Sequence, residues 1–155
     1  MSEKISPEPL PPAAALGVGD EIPPITREIG WDQILKFNRY VTGGKDTKNI
    51  HTDDETARKA GLPRALATGR HPVSFISEHL IDWFGAGFVA GGEIDVAFVK
   101  PIFPGDTVTV VAKVKEIVSE NEKRRVLLDI SLVNQGGVSV TVGSAIGLVD
   151  ASASG

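Results

Sequence analysis

Asp46 and His51 stand five residues apart in the segment Tyr40-Val41-Thr42-Gly43-Gly44-Lys45-Asp46-Thr47-Lys48-Asn49-Ile50-His51. A carboxylate and an imidazole side by side can hold one water molecule and move its protons, the work of a general acid/base pair. At 3.6 residues per turn an i, i+5 pair falls on poorly matched helix faces, so the pair meets only in a bent loop. The two glycines ahead of it suit such a backbone. The spacing by itself fits an incidental Asp and His on a solvated loop as well.

A second candidate is Ala67-Thr68-Gly69-Arg70-His71, where a helix is expected to begin. Backbone N–H groups there lack intrahelical acceptors and lie at the positive end of the helix dipole. A glycine lets a carbonyl oxygen or oxyanion come close to them. Gly69 is equally suited to a tight loop-to-helix turn. Arg70, the cation beside it, would meet an anionic substrate group or stand in solvent. His71 would face the cleft of His51 or pack in the core, and His79 is expected at the surface or an interface.

Asp46, His51, Asp53 and Asp54 together raise the question of a metal. Thr52-Asp53-Asp54-Glu55 already reads as a capping box, and no second histidine stands at ligand spacing, so no metal is assigned. The run Lys123-Arg124-Arg125 reads as a solvated hairpin tip, with phosphate contact as the lesser reading. Trp83, Phe84, Phe88 and Phe98 read as core or subunit-interface residues.

The elements that must position these groups follow from periodicity. Residues 20–27 suggest a strand weakened by Pro23 and Pro24. Trp31–Val41 carries Trp31, Ile34, Leu35 and Val41 near one helical face and ends at Gly43-Gly44. A short helix is expected over 53–60, closed by Gly61 and Pro63. A longer one is expected over 67–83, with Val73, Ile76, Leu80, Ile81 and Phe84 as its apolar face and Pro72 in its first turn. Beyond Gly92 everything reads as strand: a run from Ile94, then 107–118, 124–134 and 138–149, joined by short turns and so antiparallel. The plan is α+β, a curved antiparallel sheet whose concave face is covered by the 67–83 helix.

The chain of 155 residues fits one domain, placed over 18–150, between a flexible N-terminal arm (1–17) and a short tail (151–155). A net charge of −4 offers no footprint for nucleic acid or an anionic membrane. There is no cysteine, which removes disulfides, thiolate catalysis and cysteine zinc sites. With no apolar run of membrane length and no signal-peptide pattern, a cytoplasmic protein is expected.

The sequence resembles the MaoC-like branch of the hot-dog superfamily, which includes (R)-specific enoyl-CoA hydratases and acyl-thioester dehydratases. The resemblance rests on Tyr40, Thr42, Gly43/Gly44, Asp46, Ile50, His51 and Asp53, on 51–63 as the overhang helix, and on Phe98–Asp106 as a strand–turn element. It covers about residues 18–149 and implies a sheet wrapped round a central helix. It further implies that Asp46 and His51 add or remove water across the C2–C3 bond of an acyl thioester, while the Gly69 N–H holds the thioester carbonyl. Thr68, Arg70, His71 and Tyr40 are the matching substrate-side positions. No cofactor is implied beyond the CoA or carrier-protein thioester of the substrate, and a homodimer or higher homo-oligomer is expected. Lys45 is inserted before Asp46, Lys48-Asn49 replaces Asn-Pro, and Thr68-Gly69-Arg70 replaces His-Gly-Met. These departures point to a more polar or unusual acyl group. A non-catalytic acyl-binding subunit and a hot-dog thioesterase are the alternatives.

Overall fold

A computed structural model describes residues 11–151. Most of the expected arm and tail therefore lies outside the described residues. Five strands form one antiparallel sheet: β1 (Glu21–Ile29), β2 (Glu93–Phe98), β3 (Asp106–Glu120), β4 (Lys123–Asn134) and β5 (Ser139–Asp150), in the order β1-β3-β4-β5-β2. Short turns join β3, β4 and β5, so consecutive strands pair as expected. Pro23 and Pro24 are tolerated because β1 is an edge strand, and its pairing with β3 shifts register between Ile22 and Ile25 where the two prolines sit.

The helices are α1 (Trp31–Val41), α2 (Asp54–Lys59), α3 (Arg70–Phe84) and α4 (Ala86–Gly91). Helix α3 buries His71, Pro72, Ile76, His79, Leu80 and Phe84. The sheet meets it with Val108, Val110, Ala112 and Val114 from β3, and with Val126, Leu128, Ile130 and Leu132 from β4, the alternate inward residues of each strand. Each fully buried Leu, Ile or Phe in this core contributes roughly 1.5–3 kcal/mol. Close approach of helix and sheet needs Gly147 on β5: a side chain there would strike the Phe84 ring. No helix among the described residues is long and apolar enough to cross a membrane.

Four expectations change. The helical face of α3 is rotated from the one expected: Ile81 is exposed, while His79, read as a surface or interface residue, is only 2% exposed and joins the buried side of the helix. Helix α4 occupies a stretch for which the sequence predicts no element. Gly85 breaks α3 with φ +58, and Gly87 and Gly91 let α4 lie against Leu148 of β5, where a Cβ would collide.

The third and fourth concern the arm. Its described part is packed: Pro12–Ala15 forms a 3-10 turn, and Ala13 and Leu16 join the core. The Arg124 guanidinium holds it there, donating to the carbonyls of Ala14 (2.7 Å) and Leu16 (2.6 Å). Arg124 is thus not part of a solvated tip. Its neighbours are at the surface: Lys123 pairs with Asp150 at 2.7 Å, and Arg125 stands 3.9 Å from Glu93.

Candidate active site

The loop after α1 is built by its own hydroxyls and amides. Gly43 and Gly44 take φ +72 and +82, which turns the chain sharply away from the helix. The Thr42 hydroxyl donates to the carbonyls of Asn38 (2.9 Å) and Lys45 (2.8 Å). The Thr52 hydroxyl donates to the Thr47 carbonyl (2.6 Å) and accepts from the Asn49 N–H (2.9 Å). Thr52 therefore folds the loop and does not cap the next helix, as the capping-box reading had it. The cap is Asp53, which accepts from the N–H of Thr56 (2.8 Å) and from its hydroxyl (2.6 Å). Those bonds, the side-chain one foremost, hold the Asp53 carboxyl below its ordinary pKa. Asp54 accepts from the Ala65 N–H at 2.9 Å, so both carboxylates are committed to the backbone.

This scaffold fixes His51. Its N–H donates to the Asn49 side chain (2.8 Å), and its ring Nδ1 lies 2.9 Å from the Leu66 carbonyl oxygen. A carbonyl only accepts, so Nδ1 carries a proton and Nε2 is the ring nitrogen left to act as a base. His51 lines a cavity of about 350 Å³ together with Thr68, Gly69, Pro72, Phe98, Lys100, Ile102 and Thr141. The walls include Leu62, Leu66 and Ala67, and the Ala67 N–H, bonded to the Ile102 carbonyl at 2.8 Å, ties the two sides together.

Gly69 stands at the N-cap of α3 with φ −58 and ψ −28, and among the described residues its N–H makes no hydrogen bond within the chain. The Phe98 ring lies against it: a Cβ at Gly69 would come 2.5 Å from Phe98 Cε2 and 2.8 Å from Cζ. Glycine is favoured here by this contact and not by the backbone conformation. A free N–H at a helix start, walled by apolar groups, is the arrangement that stabilises a polarised carbonyl.

The cavity thus brings together His51, Thr68 and Gly69, three of the seven residues singled out by sequence. It does not include Asp46. The Asp46 carboxylate is 85% exposed, lies 3.7 Å from Arg39 Nε, and lines a separate groove of about 420 Å³ with Asn38, Lys45, Thr47, Lys48 and Asp53. Asp46 and His51 thus line different cavities and, among the described residues, form no hydrogen bond or ion pair with each other. Arg70 is exposed and outside the cavity, and Tyr40 is 83% exposed on α1. His71 is buried, stacked on Phe37 with ring centroids 4.5 Å apart, and burial lowers its pKa. It packs in the core and does not line the cavity.

Sequence reasoning missed Phe98 as a cavity wall and missed Thr141 altogether. In the alternating run Ser139-Val140-Thr141-Val142 the valines are the natural inward residues, yet Val140 and Thr141 are both buried and Val142 is exposed. The register slips between Leu132 and Val133 opposite this stretch, which breaks the simple alternation.

Residues 24–134 match the family model described as MaoC like domain. Among solved structures, the chain is similar to a MaoC-like dehydratase from Rhodospirillum rubrum (24% identity, 87% of this chain and 93% of that one, TM-score 0.71). It is also similar to an (R)-hydratase from A. caviae involved in PHA biosynthesis (21% identity, 85% and 96%, TM-score 0.67). A third is the ChsH1–ChsH2 complex from Mycobacterium tuberculosis (15% identity, 86% and 97%, TM-score 0.65). No curated protein sequence matches the chain. At these identities the structures establish the fold: the five-stranded sheet packed on α3 is a hot-dog domain of the α+β class.

Proposed function

The chain belongs to the MaoC-like domain family, and from that premise we propose that it adds or removes water across the C2–C3 bond of an acyl thioester. The observation that carries the reading is the sharing of one largely apolar cavity by the His51 ring and the unbonded Gly69 N–H. The Gly69 N–H would hold the thioester carbonyl, which acidifies C2–H and stabilises enolate-like charge. In hydration, His51 Nε2 takes a proton from water as its oxygen bonds to C3, the C2–C3 π pair shifts toward the thioester carbonyl, and the proton now on His51 passes to C2 as the carbonyl re-forms. In dehydration the same groups run in reverse. CoA or a carrier protein enters only as the thiol half of the substrate, and no other cofactor has a place in the scheme.

Asp46 would join His51 at that water through movement of the 43–47 segment, whose left-handed glycines permit a change of direction. A second copy of the chain would cover Phe98, Val99 and Val142, exposed apolar residues beside the cavity mouth and the β2 edge, giving a homodimer. The separation of Asp46 from His51 favours one competing reading, an acyl-binding subunit without turnover.

The test is a turnover screen over enoyl and 3-hydroxyacyl thioesters, following enoyl absorbance and free thiol in parallel. Hydration consumes the enoyl signal and releases no thiol; thiol release alone would mean a thioesterase. His51→Ala is expected to lose about 10²–10⁴-fold. If Asp46→Asn keeps full rate while His51→Ala does not, the dyad fails and a His51-only mechanism stands. Binding of acyl thioesters without turnover across the screen would support the non-catalytic subunit.

A further inference from the structure

Two threonines that line the His51 cavity carry side-chain hydroxyls without a partner among the described residues. Thr68 Oγ1 and Thr141 Oγ1 are both buried and neither has a hydrogen-bond partner among the described residues, although both residues line the same space as His51 and Gly69. Thr141 is 0% exposed. It pairs across the sheet with Phe98 on one side and Leu132 on the other. The N–H groups of Val99 (3.0 Å) and Lys100 (3.2 Å) donate to the carbonyl of the preceding Val140, which closes the strand end beside it. A buried hydroxyl without a partner is disfavoured, since it has given up its bonds to water. Valine has the same shape without the polar atom and flanks the position on both sides, so packing does not call for threonine here.

Building on the hydratase reading, which already uses Gly69 for the thioester carbonyl and His51 for water, we infer that Thr68 and Thr141 form a separate anchor for a neutral oxygen on the acyl group. The preferred substrate class is then an acyl thioester that carries a hydroxyl or ketone oxygen besides the thioester carbonyl. A hydroxyl both donates and accepts, so the two threonines can satisfy an alcohol or a ketone. They bring no charge to pair with a carboxylate or phosphate. The surrounding Pro72, Phe98 and Ile102 would take the hydrocarbon part of the chain.

The experiment compares wild type, Thr141→Val, Thr141→Ser and Thr68→Val on crotonyl-pantetheine and its 4-hydroxy counterpart. The saturated butyryl and 4-hydroxybutyryl thioesters are titrated calorimetrically alongside. Wild type should favour the hydroxylated member of each pair by about tenfold, the scale of one well-made buried hydrogen bond. Thr141→Val should erase that preference through KM and Kd, Thr141→Ser should restore it, and the Tm of Thr141→Val should not fall. Equal losses on both members of a pair, or no preference in wild type, would overturn the anchor. If neither enoyl thioester is hydrated, the hydratase reading fails, and the saturated pair alone decides the anchor: a preference that Thr141→Val removes supports it, and its absence refutes it.

Discussion

Gly69→Ala separates the two reasons for a glycine at the head of α3. The backbone there is right-handed helical, φ −58 and ψ −28, so alanine meets no dihedral strain. Replacing glycine at such a position gains about 0.4–1 kcal/mol by restricting the unfolded chain. Against this stands the Phe98 ring, 2.5 Å from the added Cβ, where carbon atoms rest at about 3.5–4.0 Å, so ring and helix must part by about 1 Å. Overpacking of this kind costs about 1–3 kcal/mol. Phe98 is 54% exposed at the end of an edge strand and can yield, which points to the lower part of that range. The net expectation is a loss of about 0–2 kcal/mol, or a Tm lower by up to about 8 °C for a domain this size.

Activity should suffer more than stability. A displacement of about 1 Å beside the N–H proposed to hold the carbonyl is expected to cost about 10²-fold in kcat. Thermal melts and enoyl-hydration rates of Gly69→Ala, Phe98→Ala and the double variant complete the cycle. Removing the ring should recover the Tm lost to the methyl group, with a coupling of about 1–2 kcal/mol. Wild-type kcat in Gly69→Ala, or a double variant no better than the sum of the singles, would refute the reasoning.

Gly143→Ala should be far more damaging, because its Cβ would strike the Asp95 carbonyl oxygen and lie 2.7 Å from Val96 Cα, and backbone cannot swing aside. A loss of about 3 kcal/mol or more is expected in denaturant titrations. Arg124→Ala removes both bonds to the packed end of the arm and should cost about 1.5–3 kcal/mol, with faster amide exchange at 13–16. Burial, the largest cause for each, lowers the pKa of His71 and His79 below 6.5; for His79 this outweighs the upward pull of Asp82, the Pro23 carbonyl and Glu78. Their neutral forms belong to the fold, so this stability is present above pH 6.5 and is lost as pH falls through the lowered values. Tm should therefore drop between pH 7.5 and 5.5, and His71→Leu should flatten that drop.

The elements were largely legible because their signals are local. Helix α1 occupies the expected 31–41, and the strands lie within a few residues of their expected bounds. What escaped depended on contacts distant in sequence. The buried face of α3 includes His71 and His79 because Phe37 and β1 pack against that side, which no periodicity of apolar residues reveals. Arg124 reads as a surface charge until the carbonyls of Ala14 and Leu16 are brought to it by the fold. At the site, the Gly69 turn and His51 were visible in residue type and spacing. The direction of Asp46 was not, because it is set by the left-handed glycines and by Thr42, which sequence spacing treats only as a loop. Thr141 was hidden by the valines around it.

His51 is proposed to add water at C3 of an acyl thioester. Proton NMR of crotonyl-pantetheine hydrated in D₂O tests it most directly, with wild type and His51→Ala side by side. A 3-hydroxyacyl product with one deuterium at C2, no free thiol, and a rate lower by about 10²–10⁴-fold in the variant are expected. Equal rates from the two proteins, or free thiol with the double bond intact, would contradict it.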